Sequence, residues 1–189
     1  MKKSIGKSQT AFPTPVFVVG TYDEAGKANA ATIAWAGVAS SGPESVAIAV
    51  RPSRYTYENL LLKKAFTVNI PSAEYAVETD YLGIDSGRNV DKLKRVGLTS
   101  SKADYVDAPV INEFPVSIEC EVTHTLDLGV HVLFIGAIKD IKAEERFLSD
   151  KGVLDIRAAG LLLFDAPNHA YVAPGGVIAQ AFSVGLKFR

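Results

Sequence analysis

Three short segments between residues 29 and 71 place polar side chains where apolar strand patterns end. They read Asn29-Ala-Ala-Thr-Ile-Ala-Trp35, Arg51-Pro-Ser-Arg-Tyr-Thr56 and Phe66-Thr-Val-Asn-Ile-Pro71. Arginine and hydroxyl groups donate hydrogen bonds to phosphate, and a tryptophan ring offers an apolar aromatic face. This combination suits a phosphorylated aromatic ligand that lies on a sheet.

The second of these segments lies where a strand passes into a helix. Residues 45–51 have a strand pattern, and Ser53 is the expected N-cap of a helix that runs to about residue 62. The N-terminus of that helix would add free N–H groups and partial positive charge to the guanidinium groups of Arg51 and Arg54. These donors together could hold a phosphate monoester. Alternatively, both arginines are solvated surface charges and Ser53 only caps the helix.

The rest of the chain is mainly strand, with a few short helices. The predicted strands are 16–22, 28–35, 45–51, 66–70, 116–123, 131–141, 161–164 and 170–172, and residues 74–96 contain two short helical patterns. Many short strands separated by turns favour a closed or partly closed antiparallel barrel, because closure removes exposed edges. We expect one domain over residues 1–189, with the helices over the side or mouth of the barrel.

Composition limits the classes of partner. Twenty Lys and Arg oppose 21 Asp and Glu, which leaves a formal charge of -1 and no basic stripe for nucleic acid. Cys120 is the only cysteine, so an intramolecular disulfide and a cysteine-rich metal site are excluded, and no metal site is expected. Pro13 and Pro15 interrupt the apolar stretch nearest the basic N-terminus, so we expect no membrane segment and a cytoplasmic location.

No motif for phosphate-loop, triad or zinc chemistry is visible in the sequence. It contains no G-x-G-x-x-G, no Walker loop, no G-x-S-x-G and no H-E-x-x-H. The thiol of Cys120 has no partner cysteine and is expected to be a small buried apolar side chain. Any redox chemistry must therefore come from a bound cofactor.

In its motifs and their order the chain resembles the flavin reductase-like, FMN-binding split-barrel family, and within it the flavoredoxin-type members. The resemblance covers residues 12 to 141 and is carried by Asn29-x-x-Thr32-x-Ala34-Trp35, Arg51-Pro-Ser-Arg-x-Thr56 with Asn59, Phe66-Thr-Val-Asn69-Ile-Pro71, Ser86-Gly87, Asp91-Lys92, Gly129-Val-His131 and Phe134-Ile-Gly136. It implies a six-stranded split barrel, usually a homodimer, that binds FMN non-covalently at its rim.

The resemblance also implies roles for individual residues. The backbone and side chains of residues 32–35 would border the isoalloxazine ring, while the Arg51 segment would hold the phosphate and ribityl end. The implied cofactor-binding residues are Asn29, Thr32, Ile33, Ala34, Trp35, Arg51, Ser53, Arg54, Thr56, Asn69, Ser86, Gly87 and Lys92. Catalysis is assigned to His131, which matches a histidine near the nicotinamide in related reductases. Here Val130 replaces the aspartate of their Gly-Asp-His motif.

Several alternatives stay open at this point. The resemblance implies an FMN-dependent oxidoreductase that takes electrons from NAD(P)H or from a protein donor. A pyridoxamine-phosphate-oxidase-like enzyme would share the barrel and FMN, and a non-catalytic flavin carrier would share the site. His131 is alternatively a structural residue, and Trp35 a core or interface residue.

Overall fold

The computed structural model describes residues 1–7 and 11–189 of the chain. Its strands are β1 Thr14–Pro15, β2 Phe17–Tyr22, β3 Ala28–Ile33, β4 Ala36–Ser41, β5 Glu44–Val50, β6 Ala65–Ile70, β7 Ser100–Lys102, β8 Pro109–Ile111, β9 Val116–Asp127, β10 Val132–Ala143, β11 Leu163–Asp165 and β12 Ala170–Val172. The α-helices are α1 Tyr55–Lys63, α2 Ala76–Ile84 and α3 Lys92–Val96, with 3-10 turns at Ala73–Tyr75, Glu145–Phe147 and Val184–Phe188. Each predicted strand is confirmed, and β9 extends further than predicted.

The central sheet curls into a barrel with one open seam. Seven antiparallel strands, one more than the six that the resemblance implies, lie in the order β3-β2-β6-β9-β10-β5-β4. The two edge strands, β3 and β4, are consecutive in the chain with only Ala34 and Trp35 between them. The Trp35 carbonyl accepts a hydrogen bond from the Ala49 N–H of β5 (2.8 Å), which ties this corner to the other half of the sheet. The seam is the gap between β3 and the end of β5.

Apolar side chains from both halves of the sheet fill the barrel interior. Phe66 and Phe134 are fully buried, and the ring of Tyr57 in α1 packs edge-on against Phe134 with 5.8 Å between centroids. Cys120 lies in the same cluster. Burial, together with the charge of Glu119, raises the pKa of its thiol to about 12. The predicted apolar role of this cysteine is therefore confirmed, because a reactive thiolate does not form near neutral pH.

A buried polar cluster holds the start of α1 against the β2–β3 hairpin. Asn29 Nδ2 donates to Thr56 Oγ1 (3.1 Å) and Thr21 Oγ1 (3.5 Å), and Asn59 Nδ2 donates to Thr21 Oγ1 (3.1 Å). All four side chains are buried. An unsatisfied buried polar group costs about 1–3 kcal/mol, so displacing α1 would be unfavourable. The cluster thus fixes the helix N-terminus relative to β3.

The two predicted helices of residues 74–96 are confirmed as α2 and α3, and they cover the outer face of β2 and β3. Leu82 is fully buried there beside Val18 and Leu93. The Thr32 hydroxyl of β3 donates to the Thr79 carbonyl of α2. Gly83 permits this close approach, since a Cβ at that position would lie 3.3 Å from Thr32 Cβ.

After β10 the chain returns to the β1 side of the barrel. β11 pairs with β1 and with β12 in a separate three-stranded sheet. The Leu162 N–H donates to the carbonyl of Pro71, the residue that follows β6 (3.3 Å), and this bond holds the C-terminal hairpin beside the end of β6. In the described parts of the chain, no helix is both long enough and apolar enough to cross a membrane.

The structure differs from the sequence-based expectations at the start of α1, at the end of β3, which is Ile33 rather than residue 35, and in four strands that were not predicted, β1, β4, β7 and β8. Ser53 is not the N-cap of α1: that position is Arg54, and no side chain caps the helix by a hydrogen bond. The Arg54 N–H donates to the Arg51 carbonyl (3.0 Å) and closes a turn, so the helix begins only after this turn, at Tyr55. The edge strand β4 was not predicted, because Ala36-Gly-Val-Ala-Ser-Ser41 has only one β-branched apolar residue. Its strand conformation comes from pairing with β5.

We predict that Gly136→Ala destabilises the barrel. A Cβ at this position of β10 would lie 2.5–2.6 Å from ring atoms of Phe66 and 2.9 Å from Cys120 Cβ. Overpacking of this kind should lower the free energy of unfolding by about 1–3 kcal/mol, measured by chemical denaturation. Gly37→Ala in β4 is the matched control, because its Cβ would meet nothing within 4 Å. Equal stability of the two variants would contradict the prediction.

Candidate functional site

A cleft with a volume of about 350 Å³ lies along the seam. Its walls are the end of β3 with the corner at residues 34–35, the end of β5, the start of α1, and the loop between α2 and α3. Small-molecule sites in proteins usually have volumes of about 300–1,000 Å³. The seam cleft is therefore the candidate functional site.

All predicted site residues except one line this cleft. The residues in its walls include Asn29, Thr32, Ile33, Ala34, Trp35, Arg51, Ser53, Arg54, Thr56, Ser86, Gly87, Lys92 and His131. They come from β3, the segment between β5 and α1, the α2–α3 loop and the turn before β10. The tertiary structure thus brings together motifs that are far apart in the sequence.

Asn69 lies away from the cleft, which corrects the expectation that it contacts the ligand. Its side chain is fully buried; Nδ2 donates to the Val18 carbonyl (3.1 Å) and Thr67 Oγ1 (2.9 Å), and Oδ1 accepts from the Ile111 N–H (2.9 Å). Side chains alternate between the two faces of a strand, and the neighbouring Val68 faces the barrel interior. Asn69 therefore points outward and links β6 to β8.

Eight residues in the cleft walls, most of them small or apolar, are not among the predicted site residues. They are Ala31, Ala49, Val50, Tyr55, Leu82, Gly83, Asp85 and Phe164. Most of them are next to a predicted site residue in the sequence, and this proximity could have indicated them. Phe164 is different, since only the pairing of β11 with β1 brings it to the seam. No sequence signal connected it to the site.

Thr32 and Trp35 both line the cleft although residues three apart in a strand face opposite sides. The reason is that β3 ends at Ile33, so Trp35 lies in the corner rather than in the strand. The Thr32 hydroxyl is already bonded to the Thr79 carbonyl, so it positions α2. The corner thus places residues on both sides of Ile33 in one wall.

One end of the cleft carries unbalanced positive charge. Arg51, Arg54 and Lys92 line it, whereas Asp85 is the only carboxylate in its walls. Within the part of the chain that the structure describes, none of these three cations forms a salt bridge. His131 Nε2 lies 3.5 Å from Arg51 Nε, and burial followed by the Arg51 charge lowers the pKa of His131. An anion would bind well at this end.

Lys92 is placed by the cap of α3. The Asp91 side chain accepts a hydrogen bond from the Lys94 N–H (3.1 Å), which starts the helix and turns Lys92 inward. Its Nζ donates to the Leu82 carbonyl (2.7 Å) at the end of α2. Burial, and then the nearby charge of Arg54, lower the pKa of Lys92 to about 8. A bound anion would oppose both effects and favour the protonated amine.

The loop between α2 and α3 is held against α1 by the side chain of Arg88. Arg88 forms a salt bridge with Glu58, donates to the Ser53 carbonyl (3.2 Å) and lies over the ring of Tyr55 at 5.2 Å. A Cβ at Gly87 would collide with Asn29 Oδ1, so the close passage of this loop over β3 requires glycine. These contacts hold Ser86 and Gly87 as the roof of the cleft.

A buried acceptor in the cleft has no partner. Asn29 Oδ1 is buried and, among the described residues, receives no hydrogen bond, although its Nδ2 group is bonded. A ligand that donates a hydroxyl or N–H group could supply the missing hydrogen bond.

Residues 1–7 and 11–189 contain no group of three or more His, Cys, Asp or Glu side chains placed to hold a metal ion.

Comparison with known proteins identifies the family. Residues 9–164 match a protein family that is described as "flavin reductase like domain". The chain belongs to the flavin reductase-like family. Its functional class is therefore that of a flavin-dependent oxidoreductase. Family membership agrees with the resemblance found in the sequence.

Solved structures confirm the predicted mainly β split barrel. A flavoredoxin of Desulfovibrio vulgaris (Miyazaki F) is 43% identical with a TM-score of 0.94, over 98% of this chain and 100% of that chain. A flavoredoxin from Methanosarcina acetivorans is 28% identical with a TM-score of 0.92, over 100% of both chains. A split barrel domain from Shewanella frigidimarina is 17% identical with a TM-score of 0.81, over 90% of this chain and 87% of that chain.

We predict that the cleft binds a phosphorylated flavin more weakly above pH 8. Lys92 is protonated below its pKa of about 8 and attracts phosphate, and it becomes neutral above that pH. Phosphate monoesters are already dianions above about pH 7, so their own titration does not interfere. If binding raises the Lys92 pKa by about one unit, affinity falls about fivefold between pH 7 and pH 9, a range below the ionisation of the N3–H group of the flavin ring. Flavin fluorescence titrations at each pH measure this.

The control for this pH dependence is Lys92→Arg, which stays charged over the whole range. Its affinity should be nearly independent of pH from 7 to 9. A wild-type profile as flat as that of Lys92→Arg would show that Lys92 does not face the phosphate.

Proposed function

We propose that this protein binds FMN non-covalently in the seam cleft and transfers electrons through it, as a flavoredoxin-type flavin reductase. The observation that carries the proposal is the cleft itself, which has an unbalanced cationic end and a largely apolar remainder beside the open edge of β3. The 43% identity with a flavoredoxin over 98% of this chain gives independent support. The proposal treats residues 1–189 as one domain.

The phosphate of FMN would lie at the cationic end. Arg51 and Arg54 offer guanidinium donors, Ser53 a hydroxyl group, and Lys92 a buried amine. No side chain caps the first turn of α1. The Tyr57 N–H of that turn donates to the Arg54 carbonyl (3.0 Å), and the N–H groups before it can face an anion. The polar cluster around Asn29 holds this helix N-terminus in place, and Asn29 Oδ1 can accept a hydrogen bond from a ribityl hydroxyl. The residues present therefore fit a phosphorylated flavin.

The ring of the flavin would lie along the corner between β3 and β4. Ile33, Ala34 and Trp35 form one wall there, and Val50 and Leu82 provide apolar surface that excludes water. Bound FMN would supply hydride and single-electron transfer chemistry, which no side chain of this cleft provides by itself. The task of the protein is to hold the ring in a fixed orientation with part of it accessible.

We assign His131 to contact with the electron donor, NADH or NADPH. Its imidazole lies in the cleft wall beside Arg51, and its lowered pKa keeps it neutral at pH 7. A neutral imidazole can both donate and accept a hydrogen bond, so it can orient a carboxamide. The replacement of the family aspartate by Val130 leaves this role to the imidazole alone.

We further propose a cytoplasmic homodimer that can exchange electrons with a protein partner. Apolar side chains of the C-terminal segment support an interface between copies, because Ile178, Phe182 and Phe188 are almost fully exposed in the single chain. These three side chains, all between residues 178 and 188, offer apolar surface that a partner can bury.

We predict that Arg54→Ala weakens FMN binding at least tenfold without changing the affinity for riboflavin. A hydrogen bond to a charged group contributes about 1.5–3 kcal/mol. Riboflavin has no phosphate, so it makes no such bond with Arg54 and loses no affinity in the variant. The melting temperature should not change, since Arg54 is exposed. Arg146→Ala, an exposed arginine outside the cleft, is the control. If both flavins lose affinity equally, or neither does, Arg54 is not at the phosphate.

We predict that the FMN-loaded protein oxidises NADH or NADPH in steady state, with free FMN or oxygen as the acceptor. The expected result is repeated turnover, and His131→Ala should raise the KM for the nicotinamide nucleotide more than it changes the dissociation constant of FMN. Absorbance at 340 nm follows the reaction. Tight FMN binding with negligible turnover would instead identify a flavin carrier or a protein reduced only by a protein donor.

A further inference from the structure

A second cavity, with a volume of about 220 Å³, adjoins the seam cleft. It is walled by the C-terminal hairpin, because Phe164 of β11 and Tyr171 of β12 both line it. We therefore call it the hairpin pocket. The residues that line both cavities are Thr32, Ala34, Gly83 and Phe164. None of the cations of the seam cleft lines the hairpin pocket, so the two cavities meet at the uncharged end of the cleft.

The polar groups of the hairpin pocket are few and already partly paired. Asp80 Oδ1 accepts a hydrogen bond from the Tyr171 hydroxyl (2.9 Å). Burial, and then this bond to Asp80, raise the pKa of Tyr171, so its hydroxyl keeps the proton. In the described residues Asp80 forms no salt bridge. The pocket thus carries one negative charge and no positive charge.

The other walls are apolar and partly aromatic. Val16 is fully buried, and Ile84, which is 65% exposed, lines the pocket at the end of α2. The rings of Phe164 and Tyr171 lie 5.8 Å apart between centroids and are tilted by 48°. Flat apolar molecules pack well against such rings, whereas an anion would be repelled by Asp80.

We propose that the hairpin pocket binds a small, planar organic molecule without negative charge directly beside the ring end of the flavin. The C-terminal hairpin would then select a second ligand of this protein. That ligand differs from a nicotinamide dinucleotide, whose anionic phosphates do not suit a pocket that carries only a carboxylate. The inference rests on the proposed function, because the neighbouring ring is that of the proposed FMN.

Two isosteric probes test the proposal on the FMN-loaded protein. We would titrate 2-naphthamide, which is uncharged, and 2-naphthoate, which is anionic, and follow both by calorimetry and by the visible flavin spectrum. Saturable binding of 2-naphthamide should perturb the flavin bands, and 2-naphthoate should bind at least tenfold more weakly. Asp80→Asn should reduce this difference to threefold or less, because it removes the charge and keeps the shape.

A variant that fills the pocket completes the experiment. Ile84→Trp should weaken 2-naphthamide at least tenfold and leave the dissociation constant of FMN unchanged, since Ile84 lines only the hairpin pocket. Val77→Trp, at an exposed position of the same helix, is the matched control and should behave like wild type. If Ile84→Trp fails to fold, Tyr171→Leu takes its place: it removes one of the two rings that line the pocket and should also weaken 2-naphthamide at least tenfold without changing FMN binding.

The outcomes separate the inference from the proposed function. If FMN binds but 2-naphthamide does not, or if it binds equally well to wild type and Ile84→Trp, the hairpin pocket is not the site and the FMN proposal stands. If the protein does not bind FMN at all, both fall, because the proposed ligand is defined by its position beside the flavin.

Discussion

The short connection between β3 and β4 is the constraint on which the site depends. Ala34 and Trp35 alone separate the two strands in the chain, yet β3 and β4 do not pair with each other. Instead, β4 pairs with β5 on the opposite edge of the sheet. The corner therefore joins the two edges of the sheet without pairing them. An unpaired edge strand exposes backbone polar groups that must be covered or used. Here α2 covers one side of β3, and the cleft lies along the seam.

Two clusters of charge in this molecule have opposite character. Glu119 is fully buried, but it accepts hydrogen bonds from Lys142 Nζ (2.7 Å) and from the Tyr105 and Asp104 N–H groups (2.7 and 3.2 Å). Burial opposes the charge of this carboxylate, and these hydrogen bonds outweigh it and lower its pKa. Around Lys92, by contrast, burial and Arg54 disfavour the charge, and Asp85 offsets them only in part. Its hydrogen bond goes to the neutral Leu82 carbonyl, so Lys92 has no carboxylate partner, and such a charge in a cleft indicates a ligand.

The fold could be predicted well where local patterns and packing agree. Strands β2, β6 and β10 are rich in β-branched and aromatic residues, and each lies where predicted because those residues also fill the core. The failures have local causes. Ser53 suits an N-cap by type, but the turn after Arg51 moves the helix start to Tyr55. The weak pattern of β4 is overridden by its pairing with β5.

By itself the sequence determined which residue types are available for chemistry: the arginine segment, Trp35 and Lys92. Only the tertiary structure decided which of them meet. Asn69 was excluded by the alternation of side chains in β6, and Phe164 was included by the pairing of β11 with β1. Strand alternation and capping are local rules that a sequence displays. The convergence of residues 29, 54, 92 and 164 on one cleft depends on long-range pairing and burial, which no local pattern encodes.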